Sequence, residues 1–317
     1  MVEKDHVLVE QTPRVLESGT KTLSDLQPGH YILRAKSKGT ARLRIPLFLK
    51  RAEDRVLEPQ FDAKTVIPEG FLLVYGGRGV LGGDSEAPSS LPRTEHCGKD
   101  FLIGQYPVSA QEYMEYVNAV VRHDASQAVS KIPRVKANSE PLWTPEKNGE
   151  YDLSKQSFQG AKWDPKWPIF GLSYGDAVGY CHWRSKTEKK SYRLPTELEW
   201  EWAARGPAGL LFPWGQRFEP NFCKMKLSRQ GYPMPEKIGS FKTDRSPFKA
   251  RDMSGGVHEW CTSEFDEERA MVVLRGGAWV STAARCRGAA RIGDQPYDRH
   301  VSYGFRMACD LSESSKS

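Results

Sequence analysis

Hydrophobic positions recur at helical spacing in three segments of the chain, and each of these segments follows a helix-capping signal. In Ser191–Gly206, Thr196 stands three residues before Glu199, which is the spacing of a capping box. Trp200 and Trp202 follow, and a glycine–proline pair then stops the helix. Bulky side chains beside two alanines on one short helix indicate tight packing. We therefore predict a buried structural helix without reactive residues.

Two further helices are predicted from the same signal. Ser109 stands three residues before Glu112, and apolar or aromatic residues follow at positions 113, 116, 117 and 120. Ser173 stands three residues before Asp176, and the helix that it opens is predicted to continue to about Lys189.

The other hydrophobic residues form short runs or alternate with polar ones, which predicts strands. Leucine and isoleucine alternate with mostly polar or basic residues through Ala41–Lys50. Further strands are predicted at Tyr31–Ala35, Phe71–Tyr75, Phe101–Val108, Met271–Trp279 and, as the last strand, Tyr303–Cys309. Short strands and few helices together predict the α+β class.

Turn residues at Pro68–Gly70 divide the chain. Residues 1–70 are predicted to form a small β-rich N-terminal segment, in which residues 1–20 are poorly ordered and Lys36–Gly39 make a turn. Residues 71–310 form the main domain, and residues 311–317 form a tail that is disordered by its composition.

A glycine-rich run after the strand at Phe71–Tyr75 matches G-x-G-x-x-G at Gly77, Gly79 and Gly82. A dinucleotide site would need a helix to begin there, but a Ser- and Pro-rich stretch follows, so we predict a strand–turn–strand instead. Residues 123–165 are long, polar and rich in Pro, Asn, Gly and Lys, which is typical of a functional or mobile loop.

Composition narrows the classes of function. The 317 residues carry a net charge of +6, and no Lys/Arg block is interleaved with aromatic residues, so nucleic-acid binding is not expected. No apolar run is long enough to span a bilayer, and the first residues lack the apolar core of a signal peptide, which favours a cytoplasmic protein. Six scattered cysteines without a CxxC pair favour free thiols over a zinc site or a disulfide framework.

Several segments, in their order and separations, resemble the formylglycine-generating-enzyme-like (sulfatase-modifying-factor) family. The matching pieces are FLIGQYPVSAQEYMEYVNA, PIFGLSYGDAVGYCHW, YRLPTELEWEWAARG, FPWG, DMSGGVHEW, LRGGAW and YGFRMA, which together cover roughly residues 71–310. The resemblance implies a variant of the C-type lectin fold, with short irregular strands, few helices and much loop.

Enzymes of that family oxidise a substrate cysteine with two cysteines that hold copper, five residues apart, just after a Gly-Gly-aromatic turn. Here the turn is Gly276–Trp279, Ser281 occupies the first position and Cys286 the second. An alignment on Ala289–Arg291 instead shortens the loop and removes the second cysteine as well. Because a hydroxyl is a poor ligand for soft copper(I), no copper cofactor is expected, and Cys286 is predicted to be a small buried hydrophobe.

The family also binds calcium through a segment that reads Asn-Val-Trp-Glu-Trp, and here it reads Gly256–Trp260. Glu259 is the one ligand that this segment keeps, because Gly256 has no side-chain oxygen. His258 does not begin an HExxH zinc motif, since Thr262 stands four residues later.

The overall pattern resembles a subgroup of the family that lies at the C-terminus of bacterial serine/threonine protein kinases, behind a short β-segment with a Pro-Gly-x-Tyr turn. Pro28–Tyr31 fits that layout, although the chain has no HRD or DFG triplet of its own. A second similar group comprises ligand-binding proteins diversified by retroelements, which vary the residues after the Gly-Gly-aromatic turn. Residues 279–303 would form that surface here.

A non-catalytic sensor or docking module is therefore the expected function, with a peptide, protein or small-molecule ligand bound at residues 279–303. Aromatic and arginine side chains suit such recognition because they supply directional contact at limited entropic cost. The predicted ligand-binding residues are Trp279, Ser281, Arg285, Arg287, Tyr297, Arg299 and His300. For Arg291 and Arg306, which stand in motifs shared with the family, a role in holding the fold is favoured.

Two enzymatic alternatives are kept open. An active cysteine oxidase is disfavoured by Ser281, and an iron oxygenase on the same fold would need clustered histidines. The seven histidines of this chain show no metal-ligand spacing.

Overall fold

The computed structural model describes residues 1–16, 19–35, 43–57 and 66–311. The predicted turn at Lys36–Gly39 and residues 312–317 of the predicted tail lie outside these ranges. The helices are α1 Ala110–His123, α2 Ala125–Ala128, α3 Tyr174–Glu188 and α4 Glu197–Arg205, and 3-10 turns lie at Val129–Lys131, Leu153–Lys155 and Ala283–Cys286. The strands are β1 Val2–Lys4, β2 Val7–Val9, β3 Gly29–Ala35, β4 Leu43–Leu49, β5 Phe71–Val74, β6 Gly77–Leu81, β7 Thr94–Gly98, β8 Phe101–Gly104, β9 Ser157–Phe158, β10 Ala161–Lys162, β11 Tyr192–Arg193, β12 His258–Asp266, β13 Met271–Arg275, β14 Arg291–Asp294, β15 Tyr303–Gly304 and β16 Ala308–Asp310.

The three predicted capping boxes are all formed, at the N-termini of α1, α3 and α4. In each box the side chain of Ser109, Ser173 or Thr196 accepts the backbone N–H three residues on, and the acid at that position accepts the N–H of the cap. Two otherwise unpaired donors are satisfied at each helix start, so these boundaries follow from local chemistry alone.

Two four-stranded sheets form the framework, one in the order β11-β16-β8-β5 and the other in the order β14-β13-β12-β15. All neighbouring strands in them are antiparallel except β12 and β15, which are parallel. Short strands, three capped helices and long connections agree with the predicted α+β class. No helix in the described ranges is long and apolar enough to cross a membrane.

The predicted last strand, Tyr303–Cys309, is wrong as a single element. The chain pairs with β12 as β15, leaves that sheet, and enters the other sheet as β16 between β8 and β11. Arg306 lies in the crossing and is fully buried, and its guanidinium donates to carbonyl oxygens and to Glu259. A pleated ladder would have held Arg306 away from those partners.

The predicted loop at residues 123–165 contains α2, two 3-10 turns and the β9–β10 hairpin, and its aromatic residues belong to the core. Trp143, Phe158 and Trp163 are buried in the same cluster as the inner faces of α1 and α3. The Trp163 ring stacks on Phe170 with their centroids 4.8 Å apart. Aromatic burial therefore fixes a segment whose polar composition indicated mobility.

The N-terminal residues 1–16 are also more structured than predicted, because β1 and β2 form a hairpin. The Leu8 N–H donates to the carbonyl of Trp214 at 2.8 Å, which attaches this hairpin to the main domain. The glycine-rich run opens no helix, in agreement with the rejection of a dinucleotide site, and forms β6. A Cβ at Gly79 would lie 2.5 Å from the Trp202 ring, so glycine allows α4 to pack closely there.

Candidate ligand-binding surface

The Gly-Gly-aromatic turn places Trp279 inside the protein. Its exposed fraction is 1% and its indole N–H donates to the carbonyl of Val301 at 3.0 Å. Its ring packs edge-on against Phe158, with the centroids 6.1 Å apart. Trp279 therefore supports the loop of residues 279–303 from below and presents no face to solvent.

Ser281 is buried and forms a hydrogen bond with His258. Nδ1 of His258 lies 2.5 Å from the carbonyl oxygen of Gly276, so Nδ1 carries the proton and Nε2 is free to accept. The Ser281 hydroxyl donates to Nε2 across 3.1 Å and accepts the N–H of Ala278 at 3.0 Å. Burial, together with the charges of Arg285 and His300, lowers the pKa of His258 to about 4, which keeps the ring neutral.

The side chains of Arg287 and Arg299 form ion pairs and hydrogen bonds within the protein. Arg287 donates to Asp84 at 2.7 Å and forms an ion pair with Glu86 at 2.8 Å. Arg299 donates to backbone carbonyls, including that of Ser130 at 2.7 Å, and pairs with a buried carboxylate at the start of α3. Both arginines thus fix loops, and little of either side chain is left for a ligand.

Arg291 holds the fold, as the sequence favoured. Its Nε and Nη2 donate to Glu197 at 2.6 and 3.0 Å, and its guanidinium lies 4.9 Å from the Phe265 ring centroid. Glu197 also accepts a hydrogen bond from the fully buried Arg275. One network of charged side chains therefore joins β13, β14 and α4.

The remaining predicted residues, Arg285, Tyr297 and His300, lie on the loop that leads to Tyr303. Tyr297 and His300 are exposed, Arg285 is half-buried, and Tyr303 itself is only 9% exposed. The Tyr303 ring lies 5.3 Å from His300, and the charge of Arg285 acts on its hydroxyl. Tyr297 is 66% exposed on the same loop. Within the described ranges, no carboxylate forms an ion pair with Arg285. We call Arg285, Tyr297, His300 and Tyr303, with the two carboxyls described next, the Tyr303 surface.

Two carboxyls complete this surface. The Tyr303 hydroxyl donates to Asp294 at 2.6 Å. Desolvation and a hydrogen bond with the Asp294 carboxyl raise the pKa of Asp298. The surface therefore combines an unpaired guanidinium, an exposed phenol, an imidazole and an acid pair, which are groups suited to a polar ligand with an aromatic or amide plane.

Glu259 is fully buried and both of its oxygens are occupied. Arg306 donates to them at 2.5 and 2.8 Å, and the indole N–H of Trp200 donates at 2.7 Å. The part of the chain that the structure describes has no cluster of three or more His, Cys, Asp or Glu side chains arranged for a metal ion. The calcium role of Glu259 stays a prediction, and what its surroundings show is an ion pair that holds the two sheets together.

Cys286 has a neighbour that the sequence did not indicate. Cys223 is buried in the same aromatic cluster, and the hydrogen bond of the Cys286 thiol goes to the carbonyl of Thr282 at 3.5 Å. Interaction with the Cys286 thiol, together with burial, raises the pKa of Cys223. The two cysteines are too far apart in the chain for spacing to reveal their contact. Both belong to the cluster around Phe212 and Trp214, in agreement with the burial predicted for Cys286, and the low reactivity of that thiol stays a prediction.

Sequence reasoning also missed His258 and Tyr303 as parts of the site. The signal for His258 was present, because it replaces the first tryptophan of the family's Asn-Val-Trp-Glu-Trp segment. Nothing local pointed to Tyr303, whose neighbours Arg285 and Asp294 come from other turns of the loop.

Comparison with known proteins agrees with this geometry. The model of the sulfatase-modifying factor enzyme 1-like domain matches residues 57–311. The chain is 30% identical to "Inactive C-alpha-formylglycine-generating enzyme 2" of Bos taurus, over 74% of this chain and 85% of that protein. It is 32% identical to "Serine/threonine-protein kinase pkn1" of Chlamydia pneumoniae, over 46% of this chain and 25% of the kinase.

Solved structures show the same fold at low sequence identity. PvdO from Pseudomonas aeruginosa matches with a TM-score of 0.59 and 23% identity, over 76% of this chain and 94% of that one. Variable protein 1 of Treponema denticola matches with a TM-score of 0.54 and 19% identity, over the same shares of the two chains.

Proposed function

Because the chain belongs to the sulfatase-modifying factor enzyme 1-like family, we propose that it is a non-catalytic member that binds a peptide or protein segment at the Tyr303 surface. The observation that carries this proposal is the state of Ser281. It stands where the family's enzymes have their first copper-binding cysteine, and its hydroxyl is buried and bonded to His258 and Ala278. No thiol is available at that position to take part in cysteine oxidation.

The Tyr303 surface supports the binding half of the proposal. Tyr297 is exposed and Arg285 is half-buried, and neither makes a fold-holding side-chain bond in the described part of the chain, whereas Arg287 and Arg299 on the same loop are fully engaged. Arginine and tyrosine are among the residue types enriched at protein recognition sites. The peptide class is favoured because Asp294 and Asp298 add acceptors for backbone N–H groups.

A place beside a bacterial serine/threonine kinase is the second part of the proposal. It is supported by the similarity to the Chlamydia pneumoniae kinase, of which the chain covers 25%. In that setting the module would hold a substrate or sense a ligand for the kinase. The genes and reading frame next to the one that encodes this chain test the idea, since a kinase domain is expected there.

Binding is tested by selecting a displayed peptide library on the purified protein and measuring the affinity of the enriched peptides. We expect the double variant Arg285→Ala/Tyr297→Ala to bind them at least about 10-fold more weakly. The matched control is Arg217→Ala/Tyr232→Ala, which removes the same residue types from an exposed region elsewhere. Equal loss in both variants, or in neither, would place the ligand site away from Tyr303.

The absence of catalysis is tested separately. A sulfatase-derived cysteine peptide, incubated with the protein and copper(I), is expected to remain unmodified. Detection of formylglycine in that peptide by mass spectrometry would overturn the non-catalytic proposal, whatever the peptide selection showed.

A further inference from the structure

Six cationic side chains from two distant parts of the chain meet where the β3–β4 hairpin packs on the main domain. Lys249 is influenced by the charges of Arg34, Arg44, Arg245 and Arg251 together. We call this cluster the cationic seam, and its members are Arg34 and Arg44 on the hairpin and Lys242, Arg245, Lys249 and Arg251 on the loop of residues 242–251.

Backbone geometry holds the two halves of the seam in place. Arg44 donates from Nε to the carbonyl of Pro247 at 2.9 Å, which joins the hairpin to the tip of the loop. Within the loop, Arg245 and Arg251 face each other in an isolated β-bridge, and the Ser246 N–H donates to the carbonyl of Ala250 at 2.8 Å. The loop is therefore a closed turn in which Lys242, Arg245 and Lys249 are exposed and Arg251 is half-buried.

The acids near the seam do not balance its charge. Glu10 forms ion pairs with Arg34 and Arg44. Asp244 and Asp252 lie beneath the loop, but they are turned inward, where they accept the N–H groups of Ser254 and Gly239. In the residues that the structure describes, no carboxylate forms an ion pair with the four basic side chains of the loop.

Two donors in the seam have no hydrogen-bond partner among the residues that the structure describes. Nη1 of Arg44 and Nε of Arg251 are buried without a hydrogen bond. Burial and the charges of Arg34 and Arg245 lower the pKa of Arg44 to about 10, and burial and neighbouring cations also lower the pKa of Arg245 and Lys249. Unpaired buried donors and crowded like charges both cost stability, and an anion bound between them would offset both costs.

A cleft opens at the seam and gives such an anion access. Its volume is about 50 Å³, and its lining includes Glu10, Arg44, Lys242, Arg245 and Trp214. Two guanidinium groups, those of Arg44 and Arg245, line this cleft, and guanidinium groups suit tetrahedral oxyanions because each presents paired N–H donors.

We propose that the cationic seam binds a phosphoryl oxyanion, in the form of a small phosphate or diphosphate compound, between the β3–β4 hairpin and the loop of residues 242–251. This site is separate from the Tyr303 surface and does not depend on the function proposed for it. An anion there would neutralise the seam and so stabilise the contact between the N-terminal hairpin and the main domain.

The test measures binding of inorganic phosphate and of pyrophosphate to the full chain by calorimetry, at an ionic strength held constant with chloride. Arg245→Gln/Lys249→Gln removes two exposed cations that make no fold-holding side-chain bond among the described residues. Lys147→Gln/Lys166→Gln is the control, because it removes the same charge from exposed positions elsewhere. Binding to vesicles that contain an anionic phospholipid is measured as a third part of the experiment.

Pyrophosphate is expected to bind the wild type and the control alike, and to bind Arg245→Gln/Lys249→Gln about 10-fold more weakly, since two charge-assisted contacts are lost. The proposal is overturned if neither anion binds, if both double variants lose affinity equally, or if only vesicles bind. Thermal unfolding of each variant without ligand checks that the substitutions leave the fold intact.

Discussion

The hydroxyl of Ser281 donates a hydrogen bond to Nε2 of His258 across 3.1 Å, and both residues are buried. The same hydroxyl accepts the N–H of Ala278, so one small side chain satisfies two polar groups of the turn. The position at which related enzymes have a copper-binding cysteine therefore serves here to hold the loop under the Tyr303 surface.

Replacing Ser281 tests this structural role. Ser281→Ala leaves the Ala278 N–H and Nε2 of His258 without partners, and we expect a loss of about 1–3 kcal/mol in the free energy of unfolding. Urea denaturation measures the loss. The control Ser154→Ala removes an exposed serine hydroxyl and is expected to cost less. A fully stable Ser281→Ala variant would contradict the assigned contacts.

His258 makes stability depend on pH in a defined window. The pKa of His258 is about 4 in the folded protein against 6.5 for an ordinary histidine. Between pH 6.5 and pH 4 the unfolded chain therefore binds a proton at His258 that the folded chain does not bind. The contribution of neutral His258 to the free energy of unfolding is complete above pH 6.5 and is lost as the pH falls towards 4. The shift corresponds to about 3 kcal/mol.

The measurement compares the wild type with His258→Asn, whose amide can still donate to Gly276. The difference in free energy of unfolding between the two proteins is expected to shrink by about 3 kcal/mol from pH 7 to pH 4. Burial raises the pKa of Asp252 to about 7, which works in the opposite direction, but this effect is common to both proteins and cancels. A difference that stays constant with pH would show that His258 is not buried as a neutral ring.

The buried pair of Glu259 and Arg306 is expected to be among the most sensitive positions. Arg306→Gln leaves a carboxylate fully buried without its countercharge, and we expect a loss of about 3–5 kcal/mol or failure to fold. Arg269→Gln is the comparison, because that arginine is 77% exposed in a pair with Asp266, and it should cost less than about 1 kcal/mol. Similar costs for both would argue against the two-point contact between the sheets.

Thiol reactivity should separate the cysteines by burial. Cys97 is exposed, whereas Cys223 and Cys286 are fully buried, and interaction with the Cys286 thiol and burial raise the pKa of Cys223. Iodoacetamide is therefore expected to label Cys97 in the native protein and the other two only after unfolding. Peptide mass spectrometry reads out the sites, and rapid native labelling of Cys286 would contradict its place in the core.

The helix starts that the sequence predicted are determined by residues a few positions apart in the chain. Ser109, Ser173 and Thr196 each open a helix through a residue three positions on, so their role was visible locally. The contact between Cys223 and Cys286 depends on how distant loops fold together, and no spacing rule reports it. For the same reason the resemblance could indicate only a loop, residues 279–303, as the candidate site, and the division of that loop into fold-holding and more exposed residues required the structure.

Residues 123–165 show where a prediction from average composition fails. Their composition is polar on average, and an average conceals a few aromatic residues that are each worth several polar ones in buried area. Trp143 and Trp163 decide where this segment lies, although they are a small minority of it.

The position of β16 affects how the protein is made. Ala308 pairs with Ile103 of β8 on one side and with Arg193 of β11 on the other, so the middle of one sheet is supplied by the end of the domain. During synthesis the apolar edge of β8 leaves the ribosome long before its neighbour exists. The nascent chain must therefore remain open, and exposed to aggregation or to chaperones, until the last strand has been translated.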